Sequence, residues 1–507
     1  MRCHNLRDVF VGGRVYFVDA DCYSRMTRAR SVAEHPGSVV RHHDFENFPQ
    51  GIDSHVTAPM DYLIVAGKWA ADCTLRIADP AGTSVLRGQE LDLSGAFISP
   101  LLGMMTCAFL GIWARRGNGL PGAGAVPLLF AISPILVHGT VLGRPDHQSL
   151  LIFLLAVALG AESRLSFNLT RRWAIVGGLA WAMALWVSFY EPLVLLSAVA
   201  LAWAVCAPKK LLTAERGAWL IAFGLLSAIA FGIEGWRIHP VDPALLVYFT
   251  NWSSTIGELG HPSFGELLRW LGFGIVAAPV LLVLAGRHDR RAWPVLALLL
   301  MAVGLACWQL RWGYFLALLF VMTLPMQLAV LRRRWVIWTW VGILLWPIAQ
   351  EWDAQLFSES DTRMEQQRLE PVLLRQIAGN MRGDGTQSFL APWWISPAVA
   401  YWSGVPGVAG SAHEGISGIA DSARVYLAPT PEAAAPILRA RRVRWIIADE
   451  AAREIDTSRV ILGVPAPERA FASLLLEPSG PDAPFLHRAF ANDFFKLFSV
   501  DDSKLPQ

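Results

Sequence analysis

The run Gly143-Arg144-Pro145-Asp146-His147-Gln148 interrupts an otherwise apolar stretch: residues 123–142 precede it and residues 149–161 follow it. Apolar runs of about 20 residues are long enough to cross a bilayer as helices. The charged knot therefore reads as a turn between two membrane spans. A charge at the end of a span is costly to place, so by default Asp146 marks a functional site.

Working outward, 54% of the 507 residues are hydrophobic and only 17% are charged. Soluble globular proteins carry about 25% charged residues. This excludes an ordinary soluble domain and predicts an α-helical polytopic membrane protein. The net charge of +2 gives no reason to expect nucleic acid as a partner.

Ten spans are expected, at approximately 94–113, 122–142, 149–161, 173–189, 193–207, 217–233, 267–285, 293–310, 312–331 and 335–349. Trp113, Trp173, Trp293, Trp312 and Trp335 stand at their edges, where interfacial aromatics belong. Basic residues fill every second loop: Arg115 and Arg116; Arg164, Arg171 and Arg172; Lys209, Lys210 and Arg216; Arg287, Arg290 and Arg291; Arg332, Arg333 and Arg334. The excess of positive charge puts those loops in the cytoplasm.

The opposite side then receives residues 1–93, the Asp146 turn, Tyr190-Glu191-Pro192, the loop 234–266 and the tail 351–507. Three regions follow: an extracytoplasmic first loop (1–93), a membrane domain (94–350) and a small extracytoplasmic α/β domain (351–507). Within the tail, residues 442–448 read as a strand and 430–439 as a short helix. Nothing before Asp19 is long enough to be a span or a signal peptide, so a first helix is expected to be missing from the start. Cys107, Cys206 and Cys307 lie in apolar runs, where packing explains them. A disulfide between Cys22 and Cys73 is left open.

With this topology the outer face gathers acids: Asp19-Ala20-Asp21, then Asp146-His147-Gln148, then Thr255-Ile256-Gly257-Glu258. Arg311 begins the ninth expected span on the same side. Carboxylates from separate loops make an oxygen-ligand site for a hard cation, Mg²⁺ or Mn²⁺. Such an ion neutralises a phosphate leaving group, and a nearby arginine holds the same phosphate through its forked donors. The expected chemistry is a transferase or hydrolase acting on a phosphate-bearing lipid.

These motifs resemble the catalytic subunit of oligosaccharyltransferases, within the GT-C superfamily of polyprenyl-phosphate-dependent glycosyltransferases. The resemblance runs patchily from about Asp19 to Asp449. It implies that Asp21, Asp146 and Glu258 are metal ligands and catalytic, with Gln148 in the position of a further ligand acid and Asp19 beside them. It implies that Arg311 binds the donor phosphate, and that Trp393 and Trp394 begin a Trp-Trp-Asp signature that reads the acceptor. Ile395 stands where that signature has its aspartate.

The resemblance therefore supports a polyprenyl-linked sugar donor more firmly than a protein acceptor, a glycolipid being the other acceptor class. It further implies a bacterial inner membrane, an active site on the periplasmic side and a role in protein glycosylation or the cell envelope.

Two other readings compete. One is a related enzyme that adds a single sugar to a lipid or polysaccharide. The other is a non-catalytic protein of surface-polymer export, which would scatter Asp21, Asp146 and Glu258. Glu191 reads as part of a tight turn. His42-His43-Asp44 and His413-Glu414 lack a zinc-site spacing and read as solvated surface groups.

Overall fold

The computed structural model describes residues 1–79, 84–167, 170–211, 213–331, 333–357 and 362–506. Arg332 of the last basic loop lies outside them, and the side chains of Arg116, Lys210 and Arg334 are likewise not described. The chain is mostly helical, with one small sheet near its C-terminus.

Residues 1–93 are not a simple loop. They contain two long helices, Ala20–Glu34 and Ala58–Ala78. Asp19 starts the first by accepting a hydrogen bond from the Cys22 N–H at 2.9 Å, a side-chain N-cap. The two helices are locked together by Asp61, whose oxygens meet Arg25 at 2.9 Å and Arg28 at 3.1 Å. Cys22 is buried, Cys73 is exposed and both are free, so the disulfide left open by the sequence does not form.

Helical geometry runs from Glu90 to Ile132, where two spans were expected. A straight helix would set Cys107 and Pro127 about 30 Å apart at 1.5 Å per residue. Yet the Cys107 thiol donates to the Pro127 carbonyl at 3.5 Å. The run therefore folds back on itself as a hairpin, and Arg2 fastens its returning end through the carbonyls of Phe130 and Ala131.

Among the described residues, Glu90–Arg115, His147–Ser166, Ala214–Glu234 and Leu310–Val330 are long and apolar enough to cross a membrane. The short span expected at 149–161 is extended by flanking polar residues into a helix over His147–Phe167. Phe264–Leu271 and Gly274–His288 form a fifth candidate, bent by 70° at its break. Gly272 makes the bend with φ +66°, and a Cβ there would lie 1.7 Å from the Leu344 carbonyl oxygen. Tyr190–Cys206 and Ala292–Trp308 are shorter apolar helices.

In the tail, the strands run in the order Ser388–Leu390, Val443–Ala448, Lys496–Val500, Leu486–Ala491. The first pair is parallel and the others antiparallel. Helices Ile416–Tyr426, Pro431–Ala440 and Ala451–Leu462 pack around this sheet. The expected helix and strand therefore lie within a residue or so of where the sequence put them.

Arg441 joins this unit to the first region, bonding Asn47, the Phe48 carbonyl and Gln50 as well as Asp421. Glu234, the last residue of the helix Ala214–Glu234, ties that helix to the first region by accepting from the Ala58 N–H at 2.9 Å, and it pairs with Arg237 at 2.6 Å.

Candidate active site

The charged knot sits where the first region, the turn after Leu142 and the tail meet. Gly143 opens it with φ +77°, and an added Cβ would approach a Val9 methyl to 2.6 Å. Its carbonyl accepts from the Val18 N–H at 3.0 Å, which brings the end of Asp19's segment alongside. Ser99 donates to the Arg144 carbonyl and shares a 2.9 Å hydrogen bond with Ser149, fixing both sides of the knot.

Arg144 is the centre of the arrangement. Its guanidinium lies 2.8 Å from Glu258 and 3.6 Å from Asp19, and its side chain is only 5% exposed. It also meets His138 at 3.0 Å, and His138 bonds the Tyr314 hydroxyl at 2.8 Å. Asp146 is buried against His147, with 2.6 Å between Oδ1 and Nδ1. Arg311 pairs with the buried carboxylate of Glu191, which also accepts from the Ser188 hydroxyl at 2.5 Å. The charge of Arg311 is felt in turn by Glu258 and Asp146.

Asp21 completes the set. Its side chain is accessible, but the surrounding protein desolvates it and Asp19, Asp146 and Glu258 repel its charge. Together these outweigh a hydrogen bond from Ser411 and raise its carboxyl to about 7. Asp146 goes the other way. Burial alone would raise it, but His147, Arg144 and Arg25 hold it below the usual carboxylate range. Two acids of opposite character thus share one recess, a pattern that separates proton-carrying from charge-holding roles.

The expected ligands Asp21, Asp146 and Glu258 therefore lie within range of one another's charge rather than scattered. They do not form a closed shell: among the described residues, their ligand atoms are not all within 4.8 Å of one another. Gln148 is buried, and its Oε1 has no hydrogen-bond partner. An orphaned buried carbonyl two residues after Asp146, together with carboxylates that repel one another, is a donor set that suits a hard cation.

Trp393 and Trp394 lie in the tail. Trp393 packs at 5.7 Å against Trp252, in the helix just before Thr255, and Trp394 carries Arg453 at 4.4 Å over its ring. Ile395 is buried in the apolar core, so the signature's aspartate has no substitute at that position.

Arg144, His147, Glu191 and Ser411 were not picked out from the sequence. The first two sat in plain view inside the knot. Glu191 read as a turn residue because its partner lies 120 positions away. Ser411 has no local signal at all.

No protein-family model and no curated protein matches the sequence. Solved structures do share its fold. The oligosaccharyltransferase of Archaeoglobus fulgidus, tethered to an acceptor peptide containing the NVT sequon, superposes with a TM-score of 0.63 at 13% identity, over 99% of this chain and 72% of its own. The archaeal oligosaccharyltransferase AglB from Archaeoglobus fulgidus, in complex with an inhibitory peptide and a dolichol-phosphate, gives 0.62 at 14%, over 88% and 67%. ArnT from Cupriavidus metallidurans bound to undecaprenyl phosphate gives 0.56 at 12%, over 97% and 96%. The fold is thus the GT-C membrane fold that these glycosyltransferases share.

Proposed function

We propose that the chain is a membrane glycosyltransferase that moves a sugar or oligosaccharide from a polyprenyl-phosphate or pyrophosphate carrier to an acceptor on the non-cytoplasmic face. The observation that carries this is the meeting of Asp21, Asp146 and Glu258 with Arg144 and Arg311 in one recess. The fold adds weight, because the similar structures include one solved with a dolichol-phosphate and one with undecaprenyl phosphate.

In this reading the chain crosses the membrane ten times, with residues 1–93 and 351–507 outside and the basic loops in the cytoplasm. A bacterial inner membrane with a periplasmic site fits best. Arg311, held in place by Glu191, binds the donor phosphate. Asp21, with its carboxyl near neutrality, accepts the proton of the acceptor nucleophile. The nucleophile bonds to the anomeric carbon as that carbon's bond to phosphate oxygen breaks, and the pair of electrons leaves with the lipid phosphate. Asp21, Asp146, Glu258 and the Gln148 carbonyl would hold Mg²⁺ or Mn²⁺, which when bound neutralises charge on the leaving phosphate.

A second acceptor class is favoured by a specific observation. Ile395 is buried where a peptide-reading acid would stand, and ArnT is matched over nearly the whole of both chains. Transfer of a single sugar to a lipid or polysaccharide is the alternative. Offering purified protein one polyprenyl-linked donor with either a sequon peptide or a glycolipid separates the two. No product with any acceptor, under conditions where the protein is folded and the donor intact, would remove the enzymatic reading.

A further inference from the structure

Among the described residues, a group of metal-ligand side chains also converges outside the acidic recess. His55, just before the helix Ala58–Ala78, faces His413 and Glu414 of the tail, and their ligand atoms all lie within 4.8 Å of one another. The His55 Nδ1 and backbone N–H each stand 2.7 Å from Glu414 Oε1. The imidazoles of His55 and His413 are 4.6 Å apart, centre to centre. His239, on the segment after Glu234, is near enough for its charge to reach His413.

An ion pair between His55 and Glu414 explains only half of this. The Glu414 side chain is 7% exposed, and its second oxygen, Oε2, is buried without a hydrogen-bond partner. That oxygen lies 3.5 Å from His413 Nδ1. Two ligands bonded at about 2.1 Å to a tetrahedral ion stand about 3.4 Å apart, so this pair has a spacing a shared metal accepts. His55 Nδ1 and Glu414 Oε1, at 2.7 Å, would exchange their hydrogen bond for the ion. Two protonated imidazoles this close repel, whereas two neutral ones each offer a lone pair to the same centre.

We propose that His55, His413 and Glu414 bind a divalent transition ion, zinc foremost, at a site separate from the acidic recess. Two imidazoles and a carboxylate are the donor set that zinc takes with a fourth position left over. His239 or water completes it.

The site joins parts of the chain 359 positions apart. It also anchors a strip of tail that reaches the acidic recess. Ala412 donates to Glu46 at 3.2 Å, and Ser411 hydrogen-bonds Asp21. A metal here staples the tail across the first region and holds Ser411 on Asp21. It is a positioning site, not a catalytic one.

The test uses the full-length protein, stripped with chelator, reloaded with zinc, gel-filtered and assayed for metal by mass spectrometry. Wild type should retain about one zinc per chain, and His55→Ala/Glu414→Gln should lose it. Asp146→Asn, which alters only the acidic recess, should keep it. Cobalt added to the stripped wild type should give the strong visible bands of a tetrahedral ion, a readout that needs no variant. Equal zinc in wild type and double variant, or wild type without both zinc and the cobalt bands, would overturn the proposal.

Discussion

Two aspartates in the first region show how one residue type serves opposite ends. Asp61 is fully buried, and each oxygen has its own arginine at 2.9 and 3.1 Å. Arg28 in turn bonds the carbonyls of Val40 and Val56 at 3.1 and 3.0 Å. Asp21, forty residues earlier, is accessible and surrounded by the acids Asp19, Asp146 and Glu258. The first cluster has balanced its charge within the protein. The second is left with an excess of negative charge, the condition under which a cation or a proton from outside is welcome. Closed charge clusters build the fold, and open ones do chemistry.

That contrast can be broken most forcefully at Asp61. Asp61→Ala leaves two buried arginines unpaired, which typically costs about 3–5 kcal/mol. Little folded protein should survive in membranes, as a thermal-shift or protease assay would show; a stable variant would mean that the cluster is not structural. Asp146→Asn keeps the shape and removes the charge. Transfer should fall by about 10²–10³-fold, the scale for losing one preorganised electrostatic contact, with a smaller drop in the melting midpoint than Asp61→Ala because the neutral amide no longer balances His147.

Asp21→Asn sharpens the comparison through pH. The folded carboxyl is raised to about 7, so the folded state holds this proton more tightly than the unfolded chain. The stability it contributes is full below the ordinary carboxylate range and is lost as pH rises through about 7. In chelator, melting curves should therefore show Asp21→Asn gaining on wild type between pH 5 and 8 (about the range where such a carboxyl titrates), and parallel curves would contradict the assignment. The smallest effect belongs to Asp8, whose pair with Arg368 is 2.5 Å long but substantially exposed. Asp8→Ala should change stability by about 1 kcal/mol or less.

How much of this was legible follows from the range of each interaction. Asp146 showed itself because a charge between two apolar runs is a local anomaly. The helix over Pro431–Ala440 and the strand over Val443–Ala448 carry their periodicity in adjacent residues. The two helices inside residues 1–93 were harder to see. Ala20–Glu34 is polar overall, and its inward face interrupts the apolar Cys22, Tyr23, Met26, Ala29 and Val32 with two arginines satisfied by Asp61. His413 and Glu414 read as surface groups because their partner, His55, belongs to another part of the chain. Likewise, nothing local announces that Arg311 needs Glu191, or that Arg144 reaches both Asp19 and Glu258.

The central claim is that the open acidic recess drives transfer from a lipid-phosphate donor. It is tested most directly by incubating purified full-length wild type and Asp146→Asn with a polyprenyl-phosphate-linked radiolabelled sugar, a membrane lipid extract and sequon peptides, while following release of free polyprenyl phosphate. Wild type should consume the donor and label one acceptor class, and the variant should do neither. Donor consumption by Asp146→Asn at the wild-type rate would contradict the claim.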